Sequence, residues 1–217
     1  MTNALIILTA VLLLAGLLSC EHKGLPLGIL GCKSGVSLLF ILAAAAQPHH
    51  QAAFGPILIA ALCLCFAGDV LLAFRTGTTF SLGLLSFLIG HLLYLWAFFT
   101  LSAPNLGLLL GGAPGLIISA LAFCWLRPHL RQMALPVLLY VVVITSMLAA
   151  AWMVTLAEGL PLPGRLMIGL GATCFYFSDL SVARDRFVQK GYINRLIGLP
   201  LYYLGQFLLA FSLGALG

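Results

Sequence analysis

Charge is nearly missing from this chain. Ten Lys and Arg and five Asp and Glu serve 217 residues, 7% in all, where a soluble domain carries about a quarter. With 63% of residues hydrophobic, a water-soluble globular domain is excluded and a membrane is the expected solvent. The net charge of +5 does not point to nucleic acid, because the basic residues lie mainly in short connections and form no patches interleaved with aromatics. Zinc-site spacing is absent too: the cysteines at 20, 32, 63, 65, 124 and 174 are scattered, and Cys63-x-Cys65 is too short for the usual pair. They read as small buried apolar residues, and no metal is expected. "LLSC" at 17–20 looks like a lipoprotein cleavage site, but no Lys or Arg precedes it, and a signal peptide needs a basic start. That stretch reads as a retained first span. Ser178 has no G-x-S-x-G around it and no evident partner base, which argues against nucleophilic catalysis.

Long apolar runs are what the chain does have. A helical span needs about 20 such residues, and eight stretches qualify: 3–20, 28–46, 53–74, 81–101, 107–126, 134–157, 165–183 and 194–214. Turn-forming segments such as "EHKGLPLG", "QPHHQA", "RTGTTF" and "EGLPLPG" separate them. Exposed strand edges cannot be satisfied in lipid, so the expected fold is an all-α integral membrane protein of eight transmembrane helices. It forms a single domain over 1–217, since no linker is long enough to divide it. Lys23, Lys33, Arg75, Arg127, Arg131, Arg184, Arg186, Lys190 and Arg195 fall at the odd connections, and only Arg165 falls at the other side. This asymmetry puts the odd loops in the cytoplasm and both termini outside.

A weak internal echo accompanies the spans. "GDVLLAFR" (68–75) resembles "SDLSVARD" (178–185), and "GHLLYL" (90–95) resembles "GLPLYY" (198–203). Two parallel four-helix halves, 1–106 and 107–217, would follow. Their axis would lie along the membrane normal and bring Asp69 and Asp179 to one depth.

Those two aspartates are the chemical signal. An ionisable residue inside a span is costly and points to function; the plainer reading is interfacial pairing with Arg75 and Arg186. Two carboxylates in a dry site do not both ionise cheaply, so one can hold a proton and serve as acid while the other serves as base or anion. Such a pair performs proton-transfer chemistry without metal or cofactor. His91 and Tyr94 share one face of span four. Tyr202, Tyr203 and Gln206 make a similar face on span eight, and Tyr176 lies one turn before Asp179. These are either interhelical hydrogen-bonding groups or the polar lining of a site. His49 and His50 sit beside Pro48 in an outer loop and read as solvated.

At these residues the chain resembles the YhhN family of eight-span membrane proteins, which includes the lysoplasmalogenases. The resemblance rests on Gly68-Asp69, "GHLLY" (90–94), Ser178-Asp179 with its basic tail, and "YYLGQFLL" (202–209). It covers nearly the whole chain, and the order of the motifs carries it. The family usually has Lys-Pro early in span two, whereas Lys33 here is followed by Ser34. The resemblance implies a bacterial inner-membrane ether hydrolase, its termini periplasmic. It would cleave the sn-1 vinyl ether of a lysophospholipid to a fatty aldehyde and glycerophosphoethanolamine or glycerophosphocholine. The family's paired aspartates map onto Asp69 and Asp179. His91, Tyr94, Tyr203 and Gln206 would then position water or the glycerol hydroxyl, and Lys33, Arg184 or Arg186 would hold the phosphate. Membrane lipids and the lysophospholipid are the expected partners, with no obligate protein partner evident. Two other classes stay open. One is an intramembrane aspartyl protease, although "FAGD" (66–69) lacks the first glycine of Gly-x-Gly-Asp. The other is a proton-coupled transporter, which usually has broken helices near its site.

Overall fold

The computed structural model describes residues 2–48, 50–74 and 76–217. His49 and Arg75, read above as a loop histidine and an interfacial cation, lie outside the described residues. Among those described, long helices follow one another without strands: α1 (Thr2–Lys23), α2 (Pro26–Ala45), α3 (Phe54–Ala73), α4 (Gly77–Leu101), α5 (Leu106–Leu126), α6 (Ala134–Thr155), α7 (Leu162–Ala183) and α8 (Tyr192–Ala215). Each is long and apolar enough to cross a membrane. This is the all-helical, eight-span architecture of a multi-pass membrane protein.

Local chemistry sets the boundaries, and in places moves them from the expected ones. α4 begins four residues earlier than its hydrophobicity suggests, because Thr76 caps it. Its hydroxyl accepts from the Thr79 amide (3.1 Å) while Thr79 Oγ1 accepts from the Thr76 amide (3.2 Å), a reciprocal cap for two orphan amides. His91 is therefore deeper in its helix than the sequence suggests. Pro26 occupies the first turn of α2, where its missing amide removes nothing. The basic segment after α7 is not an open loop: Arg184–Val188 continues the helix as a π turn, a wide coil often found beside functional sites. At the opposite end Arg165 donates to the carbonyls of Thr155 and Ala157, which satisfies the last turn of α6.

Outward faces are apolar, with Leu27, Leu109, Leu116 and Leu121 exposed, as helices surrounded by lipid require. The cysteines depart from the expectation of burial. Only Cys65 is buried, while Cys63 and Cys124 are exposed and the others intermediate. Packing brings α3 onto α4, α5 onto α6 and α7 onto α8, with α2 and α8 closing the ring. The α7–α8 pair touches backbone to backbone. A Cβ on Gly205 would lie 2.7 Å from the Gly171 carbonyl oxygen, so only small residues permit this crossing. That close approach sets the position of Tyr202 relative to Asp179.

Candidate active site

Asp69 sits one helical turn before the end of α3, where the negative end of the helix dipole is a poor place for a carboxylate. Asp179 sits one turn before α7 widens into its π turn. Both lie among apolar helices and need donors from elsewhere. Asp69 is 1% exposed and has three among the described residues. Lys33 Nζ of α2 lies 3.1 Å from Oδ1. Ser37, one turn further along α2, donates to Oδ2 at 2.6 Å, and Tyr202 of α8 donates to the same oxygen at 2.7 Å. An ammonium and two hydroxyls are the partners of an ionised carboxylate.

Asp179 is surrounded differently. Its Oδ2 accepts from Tyr140 of α6 at 2.6 Å, and His91 Nε2 stands 3.8 Å away. His91 Nδ1 lies 2.6 Å from the Phe87 carbonyl oxygen. A carbonyl only accepts, so that nitrogen carries the hydrogen. A neutral ring then points the lone pair of Nε2 toward Asp179, and Nε2 has no hydrogen-bond partner among the described residues. Phe175 lies against both His91 (4.6 Å between ring centres) and Tyr202 (5.1 Å), so one buried ring orients a partner of each aspartate.

Both aspartates line a cavity of about 380 Å³ that opens at the end of the bundle carrying the basic loops. Its inner wall includes Leu72, Phe87, Ile144 and Tyr202. Its mouth is charged, with Glu21, Asp185, Arg186, Lys190 and Arg195. The arrangement is an apolar chamber with one carboxylate held in a cationic nest, a second beside a histidine lone pair, and a polar entrance. Among the described residues, no three His, Cys, Asp or Glu side chains come together as a metal site.

The residues expected from the sequence are partly brought together. Asp69, Asp179, Lys33 and Arg186 line the cavity. Lys33 does so through Asp69 rather than at the mouth. Arg186 stacks over Phe80, 4.1 Å from the ring centre. Arg184 stands apart, its guanidinium held by Asn194 and Gln189. Tyr94, Tyr203 and Gln206 lie behind the wall: Tyr94 donates to Gln206 at 2.7 Å, and Tyr203 is 3.3 Å from Ser37. Tyr176 lines the cavity but bonds to Ser119 at 2.7 Å. Two direct partners of the aspartates, Ser37 and Tyr140, lie outside the sequence reading. Ser37 is one helical turn from Lys33, which a helical-face reading could have found. Tyr202, read with Tyr203 and Gln206 as one polar face, is the member that reaches Asp69, while Tyr203 bonds to Ser37. Tyr140 is a lone tyrosine in an apolar span, and no sequence signal separates it from a packing residue.

The YhhN family model matches residues 30–213. The chain is 30% identical to Lysoplasmalogenase of Mycobacterium bovis over 173 residues, 77% of this chain and 62% of that protein. It is 38% identical to Lysoplasmalogenase TMEM86B of Rattus norvegicus over 157 residues, 72% of this chain and 60% of that protein. Against Lysoplasmalogenase TMEM86B of Homo sapiens the identity is 35% over 157 residues, 72% and 62%. The chain thus spans about three fifths of the length of these curated relatives. No solved structure matches it. By the extent of that family match, the chain belongs to the YhhN family.

Proposed function

We propose that this chain is a lysoplasmalogenase, adding water across the sn-1 vinyl ether of a lysoplasmalogen to release a fatty aldehyde and glycerophosphoethanolamine or glycerophosphocholine. The names of its relatives supply the substrate class. The observation that carries the chemistry is the unequal partner sets of two aspartates lining one apolar cavity. Vinyl ether cleavage needs an acid at carbon and an anion near the resulting cation, as glycoside hydrolysis does. Asp179, with a single hydroxyl donor among the described residues, is the acid. Asp69, held by Lys33, Ser37 and Tyr202, is the permanent anion.

Asp179 gives its proton to the β-carbon, and the double-bond electrons form that C–H bond. This leaves an oxocarbenium ion facing Asp69, whose charge stabilises it without reorganisation. Water adds to the α-carbon and loses a proton to Asp179, restoring the acid. His91, behind the cavity wall, faces Asp179 and helps hold its carboxyl toward that water. The hemiacetal hydroxyl then gives up its proton, the C–O bond to glycerol breaks with its electron pair on the glycerol oxygen, and that oxygen takes up one proton as the aldehyde forms. One water is consumed.

At the mouth Arg195 is occupied by Glu21 (3.1 Å) and Asp185 (2.7 Å). Arg186 and Lys190 are left to face a headgroup phosphate. The concentration of Lys and Arg at this end supports a cytoplasmic mouth, a bacterial inner membrane and termini on the periplasmic side.

The test is aldehyde release by purified protein from an alkenyl lysophospholipid beside its acyl analogue. Aldehyde from the alkenyl substrate is expected. Asp69→Asn and Asp179→Asn each abolish it while the protein stays monodisperse. Substantial turnover in either variant removes the aspartate pair from the mechanism.

A further inference from the structure

The cavity is small for a long-chain lipid. At about 380 Å³ it is near the lower end of the roughly 300–1,000 Å³ of small-molecule pockets, and the headgroup and glycerol occupy part of it. Deeper than Asp179 the bundle is filled by the fully buried rings of His91, Tyr94 and Phe175. A hydrocarbon attached at the reacting bond therefore has no way forward along the bundle axis and must turn sideways.

One wall offers a way out. Ser119 of α5 and Val141 of α6 line the cavity and also a second concavity of about 690 Å³. This is a groove along the α5–α6 seam with exposed edges at Leu109, Leu116 and Val142. The partition between them is thin. Ser119 bonds to Thr145 at 2.6 Å and to Tyr176 at 2.7 Å. Farther along, Gly107 and Gly111 let α5 lie directly against Trp152, which closes the seam beneath the groove. From Leu108 to Cys124 the groove follows about 24 Å of helix at 1.5 Å per residue, against roughly 15 Å for the hydrocarbon of one leaflet. Its lining is Leu, Ala and Val with few polar groups, and Ser146 turns its hydroxyl back to the Val142 carbonyl at 2.8 Å.

Resting on the vinyl ether reading, we propose that the substrate's alkenyl chain leaves the cavity between Ser119 and Val141 and lies in the α5–α6 groove. The headgroup and the reacting bond alone occupy the chamber. The chain then keeps the direction it had in the leaflet. After cleavage the aldehyde stays in the groove and passes into the bilayer, while the polar product leaves through the charged mouth.

Ala120→Trp and Ser146→Phe fill the groove from α5 and α6. Leu121→Trp, exposed on α5 outside the groove, is the control. Each is assayed in nanodiscs with hexadecenyl and butenyl lysoplasmalogens. Excluding even two methylenes from an apolar site costs roughly tenfold, so the hexadecenyl-to-butenyl ratio of kcat/KM should fall about tenfold or more in the groove variants and stay constant in the control. An unchanged ratio, or equal loss on both substrates, overturns the path. No aldehyde from either substrate with the unmodified protein refutes the vinyl ether reading itself, and the path with it. A non-hydrolysable alkyl lysophospholipid with a terminal diazirine gives a test independent of the variants. Competable labelling of α5 and α6 supports the path. Labelling that excess unlabelled lysolipid does not reduce reports bilayer lipid in the groove and overturns it.

Discussion

Lys33→Met separates the electrostatic role of the Lys33–Asp69 pair from its packing. The substitution removes the ammonium and keeps an unbranched stem. It leaves Asp69, 1% exposed, with the hydroxyls of Ser37 and Tyr202 but without its cation 3.1 Å away. Removing one partner of a buried pair costs about 3–5 kcal/mol, whereas replacing both by neutral groups is often close to neutral. At roughly 2–4 °C per kcal/mol for a chain of this size, the single variant melts about 10 °C lower. The double variant Lys33→Met/Asp69→Asn recovers most of that. The assay is the apparent melting midpoint in detergent at one fixed scan rate, since irreversible unfolding makes the midpoint depend on scan rate. An unpaired buried carboxylate moves or neutralises, so aldehyde release by the single variant falls by about 10²–10³, the usual cost of losing one preorganised electrostatic stabiliser. The double variant stays inactive. Stability that recovers without activity is what a purely structural ion pair would not produce. The reasoning fails if Lys33→Met is as stable as the parent, if the double variant is no better than the single one, or if Lys33→Met turns over normally.

Other outcomes follow from the same contacts. Tyr140→Phe removes the hydroxyl donor to Asp179 seen among the described residues and lowers kcat by about 10–100-fold, the worth of a hydrogen bond to the carboxylate that Asp179 becomes as it gives up its proton. Tyr202→Phe, which leaves Ser37 and Lys33 on Asp69, lowers it less, and equal losses would contradict the unequal roles of the two aspartates. Arg186→Ala/Lys190→Ala raises KM with kcat held, the signature of binding lost equally in ground and transition states; a fall in kcat instead would remove them from the headgroup. Gly205→Val forces a side chain onto the Gly171 carbonyl at a cost of about 3 kcal/mol or more, visible as loss of monodisperse protein on size exclusion. A well-behaved variant would show that this helix crossing is not tightly packed.

Much of this was legible in the order of residues alone. Eight apolar runs can be satisfied in lipid only as helices, so the span count and the all-helical fold follow without packing. The two aspartates stood out because carboxylates are rare and costly in such runs. Helix ends were less legible: the reciprocal Thr76–Thr79 cap lengthens α4, and the π turn Arg184–Val188 lengthens the coil after α7, both decided by local hydrogen bonds rather than hydropathy. What only the tertiary structure decided is which polar groups meet. Tyr202 and Tyr203 are adjacent and chemically alike, yet neighbouring side chains on a helix point about 100° apart, so one bonds to Asp69 and the other to Ser37. Lys33 bonds to an aspartate and not to solvent because α2 lies against α3. Tyr140 reaches Asp179 because α6 packs on α7. Composition selects the solvent and the helices. Partners come from how the helices are rotated and crossed, which depends on all of their surfaces at once.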